Sequence, residues 1–176
     1  AYPMFESLDV TPLLKLRPEP LRVIRFLTDV HLGALAKGLR LLGFDTRHAG
    51  DLTDAEIASI SALERRVVLT RDRELLKRKQ ISHGCYIRPS DPKLQLAYVI
   101  QRLDLRRTAR PFTRCVECNG SLAKSTQAAV ANRVPDGIAR RFRRFWACTG
   151  CGRVYWRGSH YRSLSMRVAG ALEGED

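Results

Sequence analysis

The chain has 176 residues, 44% hydrophobic and 28% charged, the composition of a folded globular protein rather than a disordered one. Lys and Arg number 31 against 18 Asp and Glu, a net charge of +13 at pH 7 that favours a polyanionic partner. No apolar run approaches the roughly 18–20 residues of a membrane span, which excludes a transmembrane helix; the start, Ala1-Tyr2-Pro3-Met4, lacks the basic head and apolar stretch of a secretory signal.

Residues 1–21 carry Pro12, Pro18 and Pro20 and stand apart, and a first residue other than Met is expected of a piece of a longer chain. Residues 23–27 read as a buried strand running into Thr28-Asp29. Leu32, Leu35, Ala36, Leu39 and Leu42 recur at helical spacing, closed by Gly43 at a C-cap position. Residues 45–48 make a short strand, and Thr53-Asp54-Ala55-Glu56 is a capping box ahead of a helix with Ile57, Ile60 and Leu63 on one face. Residues 66–70 are a β-branched strand, 72–79 a short charged helix, and 84–87 a fourth strand that buries Cys85. Beyond Pro89 and Pro92, residues 94–103 form a last amphipathic helix. Strands alternating with helices specify an α/β unit with a mainly parallel sheet and helices on both faces.

From Arg106 the pattern changes. Cys115 and Cys118, then Cys148 and Cys151, form two C-x-x-C pairs with 29 residues between them. A two-residue gap lets both thiolates of a pair face one ion, and two pairs complete a tetrahedral zinc site. Asn119-Gly120 and Gly152 follow the pairs and suit the tight turns. Disulfides are the rival reading, disfavoured in a reducing cytoplasm, where the chain is expected to reside.

In an open parallel sheet, function gathers at the carboxyl ends of the strands. Asp29 ends the first strand and Asp72 the third, while Asp54 opens the helix after the second, with Asp51 and Glu56 close by. Each alone reads as a helix cap. Converging, they would repel one another unless a cation relieved them. Mg²⁺ or Mn²⁺ suits such an oxygen-rich site and can activate water for phosphodiester hydrolysis.

The surplus charge is local: residues 105–167 hold 14 basic against 2 acidic residues, a net of +12. Arg140-Arg141-Phe142-Arg143-Arg144-Phe145-Trp146 interleaves guanidinium groups with rings, followed by Arg153, Tyr155, Trp156, Arg157, His160 and Tyr161. Such residues bind phosphate and stack on bases. The rings are also expected to fill most of the small core of the zinc module.

Several runs resemble a PIN-like ribonuclease family named after the C-terminal RNase domain of the Mut-seven exonuclease. They are Phe26-Leu27-Thr28-Asp29-Val30-His31-Leu32-Gly33, Leu39-Arg40-Leu41-Leu42-Gly43-Phe44-Asp45, and Leu69-Thr70-Arg71-Asp72-Arg73-Glu74-Leu75-Leu76. Arg114 to Gly120 and Cys148 to Tyr161 agree as well, so the resemblance spans about 23 to 165. It implies a PIN-like α/β domain followed by a zinc ribbon, with acids around one or two divalent ions. Carried over by position, Asp29 and Asp72 are metal ligands and Asp54 is the helix-borne acid; Asp91 and Glu74 are candidates for a fourth. Val10-Thr11-Pro12-Leu13-Leu14 and Arg17-Pro18-Glu19-Pro20-Leu21 look like the end of the ubiquitin-like domain that precedes the nuclease in bacterial members.

The expected organisation is a remnant at 1–21, a PIN-like domain at 22–105, a zinc ribbon with an Arg-rich insertion at 106–167 and an acidic tail at 168–176. The expected function is metal-dependent RNA hydrolysis with Asp29, Asp54 and Asp72 as catalytic acids. Arg71, Arg140, Arg141, Arg143, Arg144, Arg153 and Arg157 would grip the RNA. The alternative is a non-catalytic binder of structured RNA such as tRNA or ribosomal RNA, which would use the same basic residues.

Overall fold

The computed structural model describes residues 23–173, so the ubiquitin-like remnant expected at 1–21 lies outside the described residues. The chain forms two compact units. Among the described residues, one comprises 23–36 together with Asp45–Arg107; the other comprises Lys37–Phe44 and 108–173.

The first unit is built on four parallel strands, β1 (Arg25–Thr28), β2 (Asp45–His48), β3 (Val67–Thr70) and β4 (Gly84–Tyr86), in the order β2-β1-β3-β4. Its helices are α1 (Gly33–Leu41), entered through a 3-10 turn at Val30–Leu32, then α2 (Asp54–Glu64), α3 (Arg73–Leu76) and α4 (Pro92–Arg102). β3 is buried along its whole length, as a central parallel strand must be. Leu27 and Val68 point to one face, where they pack with Ala49, Ile57 of α2 and Leu75 of α3. The chain moves outward from β1 to β2 and then back across to β3, so right-handed crossovers put α1 on the opposite face from α2.

Several boundaries differ from expectation for physical reasons. The helix expected over 72–79 is one turn, because Lys77, Arg78 and Lys79 offer nothing to bury while Ile81 returns to the core. Leu63 is 86% exposed rather than on the packed face of α2. The capping box of α2 forms as its sequence predicts: the Glu56 backbone NH donates to Thr53 Oγ1 at 3.4 Å, and the Thr53 backbone NH donates to Glu56 Oε2 at 2.8 Å. Cys85 is buried.

The second unit holds an antiparallel sheet, β5 (Leu122–Ser125), β6 (Phe145–Cys148) and β7 (Val154–Trp156), in the order β5-β6-β7. The residues between the cysteine pairs fold as α5 (Gln127–Val130), a 3-10 turn and α6 (Ile138–Arg141). A final helix, α7 (Ser159–Glu173), runs straight through residue 168, where the sequence suggests the start of a separate tail. Residues 37–44 also cluster here, although the sequence pattern groups them with the α/β segment. Arg40 is 7% exposed and donates from Nη1 to the carbonyls of Val116 (3.1 Å) and Glu117 (2.8 Å). Gly43 has φ +91°, and a Cβ there would meet the Arg110 carbonyl and Thr113 Oγ1.

Candidate active site and metal centre

The direction of the crossovers reverses between β1 and β3, which makes the carboxyl ends of those two strands the switch point where open α/β sheets bind ligands. Asp29 stands there, 7% exposed. Its backbone NH extends the ladder to the Leu69 carbonyl (3.2 Å), and its carboxylate collects three donors. Oδ1 accepts from the His31 NH at 3.0 Å, while Oδ2 accepts from the Thr70 hydroxyl at 2.5 Å and from the Arg71 NH at 3.1 Å. A carboxylate has about four lone-pair positions, so one remains for a ligand.

Thr70 Oγ1 also accepts from the Asp72 NH at 2.9 Å, so one fully buried hydroxyl links the two strand-end acids. Asp72 is exposed and caps α3 through Oδ1, which accepts from the Glu74 NH at 2.7 Å; Oδ2 takes no part in that cap. Sequence reasoning passed over Thr70, although a Thr-x-Asp run after a β-branched strand is the signal for such a turn. The other acids are placed elsewhere. Asp54 faces Arg78 in a long 3.7 Å ion pair. Glu56 belongs to the capping box, Asp91 caps α4 through the NH groups of Lys93 and Leu94, Glu74 pairs with Lys77, and Asp51 is exposed. Asp29, Asp54 and Asp72 therefore do not form a ready three-carboxylate cluster: among the described residues the sole group of three or more His, Cys, Asp or Glu able to hold an ion is the four cysteines.

In that group, the Sγ atoms of Cys115, Cys118, Cys148 and Cys151 all lie within 4.8 Å of one another. Cys115 and Cys151 are 3.7 Å apart and Cys118 and Cys148 3.3 Å, well beyond a disulfide bond. Zn–S bonds of about 2.3 Å in a tetrahedron place sulfurs about 3.8 Å apart. The two knuckles repeat one backbone pattern. Asn119 NH bonds the Cys115 carbonyl and Gly152 NH the Cys148 carbonyl, both at 3.0 Å. Asn119 (φ 68°) and Gly152 (φ 73°) take the left-handed conformation. The glycine at 120 has a different reason: a Cβ there would sit 2.8 Å from Cys148 Sγ and 3.4 Å from Cys118 Sγ.

The cradle favours thiolate at Cys115 and Cys148 but not at Cys118. Burial pushes the Cys115 thiol up, but the Tyr155 hydroxyl at 3.0 Å and the backbone at Cys118 and Glu117 outweigh it and bring the pKa down to about 6. At Cys118 the backbone hydrogen bond at Gly120 lowers the value, but the contact with Cys148, burial and the other sulfurs overcome it and push the thiol up to about 12. A dication relieves this crowding of sulfur charge, so the site suits a metal such as zinc. The Tyr155 contact is not visible from spacing alone.

Arg140, Arg141, Arg143, Arg144, Arg153 and Arg157 are all exposed. Arg153 lies 3.7 Å from Glu117, while Arg140, Arg141, Arg143, Arg144 and Arg157 pair with no carboxylate among the described residues. Arg71 donates its backbone NH to Asp29, and its exposed guanidinium has no partner among them. The rings depart from the core role that the sequence suggests. Among the described aromatics of this unit only Phe145 (1% exposed) and Phe44 (5%) are buried. Phe112, Phe142, Trp146, Tyr155, Trp156 and Tyr161 stay half-buried around a groove of about 860 Å³ within the second unit.

The family described as the Mut7-C RNAse domain matches residues 24–168. The human protein described as "Exonuclease mut-7 homolog" is 24% identical in an alignment that covers 88% of this chain and 26% of that protein. The chain therefore spans about a quarter of the length of that relative. No solved structure matches. Among the described residues, no helix is long and apolar enough to cross a membrane.

Proposed function

Because the chain belongs to the Mut7-C RNAse domain family, we propose that it is a divalent-metal-dependent ribonuclease that cleaves RNA phosphodiesters at the β1/β3 switch point and grips its substrate with the zinc-bearing unit. The observation that carries this reading is Asp29, a nearly buried carboxylate at the carboxyl edge of a parallel sheet, oriented by three donors with a lone pair to spare. The oxygen chemistry of these acids suits a hard cation: Asp29 and Asp72 would offer carboxylate oxygens to Mg²⁺ or Mn²⁺, with water completing the shell. When bound, the ion supplies a water of lowered pKa and neutralises charge on the phosphate.

The chain's own groups do the rest. Thr70 fixes the Asp29 carboxylate and the Asp72 turn together. Arg71, whose guanidinium has no partner among the described residues, stands one residue before Asp72 and orients the phosphate. Asp54 is the third acid in this reading, since its 3.7 Å pair with Arg78 is exposed and readily exchanged. Cys115, Cys118, Cys148 and Cys151 would hold one structural zinc, and unbonded thiols suit a reducing compartment such as the cytoplasm. Arg140, Arg141, Arg143, Arg144, Arg153 and Arg157 grip the RNA backbone, with tRNA or ribosomal RNA as candidate substrates.

The test is cleavage of labelled RNA by the purified chain with Mn²⁺, with Mg²⁺ and with neither. Cleavage that requires the ion is expected, with Asp72→Asn weakening metal activation more than Asp54→Asn. Binding of RNA without any cleavage under Mn²⁺ would instead favour the non-catalytic binder.

A further inference from the structure

Resting on the reading of this chain as an RNA-gripping protein, we propose that the groove of the second unit is a base-stacking site for single-stranded RNA. Unpaired bases would lie on its rings while its arginines hold the flanking phosphates.

Three observations meet in that groove. Both tryptophans of the chain, Trp146 and Trp156, line it together with Phe112, Phe142 and Tyr161. Rings whose task is only packing sink as Phe145 does, to 1% exposure, whereas these are only half-buried. Second, guanidinium groups lie over the rings: Arg157 is 5.6 Å from the Trp146 centroid and 5.2 Å from that of Tyr161, and Arg141 is 5.7 Å from that of Phe142. Neither arginine meets a carboxylate among the described residues, so both remain charged donors for an incoming anion. Third, a volume of about 860 Å³ falls among ligand-sized sites, which span roughly 300–1,000 Å³.

The occupant follows from complementarity. Residues 105–167 carry 14 basic against 2 acidic residues, which calls for a polyanion. Half-buried rings capped by mobile guanidinium side chains beside that charge call for flat apolar surfaces on the same molecule. A single strand offers both, whereas a duplex keeps its base faces stacked inside and presents only backbone and groove edges. Stacking tolerates any base, so the site should be indifferent to sequence.

Because both tryptophans lie in the groove, the emission of the zinc-loaded 176-residue chain reports its occupancy. The titration uses a ten-nucleotide single-stranded RNA, its duplex and an abasic ribose-phosphate strand of the same length, without added Mg²⁺ or Mn²⁺. The single strand should quench tryptophan and bind about 10-fold or more tighter than the abasic strand, and the duplex should bind without quenching. Trp146→Ala should lose about 10-fold for the single strand and little for the abasic one, with Trp146→Phe retaining most of the affinity. Should Trp146→Ala lose its zinc, Tyr161→Ala, which removes another ring of the groove, carries the same comparison: a loss for the single strand and little for the abasic one. Equal affinity for all three ligands with unchanged emission would overturn the proposal by assigning binding to charge alone, and so would binding of no nucleic acid. A tryptophan response without Mn²⁺-dependent cleavage would sink the nuclease reading and leave this site standing; cleavage without the response would do the reverse.

Discussion

At the residue scale, the most informative side chains are charged groups that the fold has taken out of water. Arg66 is 8% exposed and donates to Asp45 at 2.7 Å, to Glu64 at 2.5 Å and to the Phe26 carbonyl at 3.1 Å. Its place at the start of the 66–70 strand is readable in the sequence; its bonds to Phe26 of β1 and Asp45 of β2 show only once those strands are paired. Removing one partner of a fully buried pair costs roughly 3–5 kcal/mol. Asp45 and Glu64 are 19% and 29% exposed, so Arg66→Ala should cost less, about 2 kcal/mol, read as a lower urea midpoint. Burial pushes the Glu64 carboxyl up, but Arg66 and Arg47 outweigh it and hold its pKa below the ordinary 4.5. A carboxyl lowered on folding stabilises fully above the unfolded value, and that contribution is lost as pH falls through the folded one. Wild type should therefore lose stability below pH 4.5 more steeply than Glu64→Gln, as paired urea titrations above and below that pH would show.

At the scale of elements, legibility followed the strength of the local signal. Thr53 and Glu56 announce α2 because both halves of a capping box lie within four residues, and the box forms. The two knuckles are legible because C-x-x-C spacing is itself the geometric requirement. The short α3 and the exposed Leu63 were not legible, since each depends on what the fold leaves available to pack against. Asp54 shows the same limit in the candidate site: its position at the start of α2 is readable, its turn toward Arg78 is not. Gly120 makes the knuckle argument quantitative. Alanine there would put Cβ 2.8 Å from Cys148 Sγ, so Gly120→Ala should lower zinc occupancy and helical content of the second unit, while Gly137→Ala, with nothing within 4 Å, should leave occupancy unchanged. Zinc measured per chain after dialysis decides it.

At the scale of the whole molecule, the net charge divides with the chemistry. Acids and partnered arginines such as Arg66 and Arg78 mark the first unit, while most arginines of the second have no carboxylate beside them among the described residues. If zinc holds the second unit, a strong chelator should abolish its tryptophan signal, both tryptophans being there, while slow amide exchange persists along β1 and β3. The central claim is that gripping and cutting reside in different residues, with Asp29 indispensable only to the cut. It is tested by measuring, on one labelled RNA with Mn²⁺, both the cleavage rate and the affinity of wild type and Asp29→Asn. The account predicts a rate lower by roughly 100-fold or more with affinity unchanged or higher. A variant that cleaves at the wild-type rate, or a wild type that cleaves nothing with Mn²⁺ present, would contradict it.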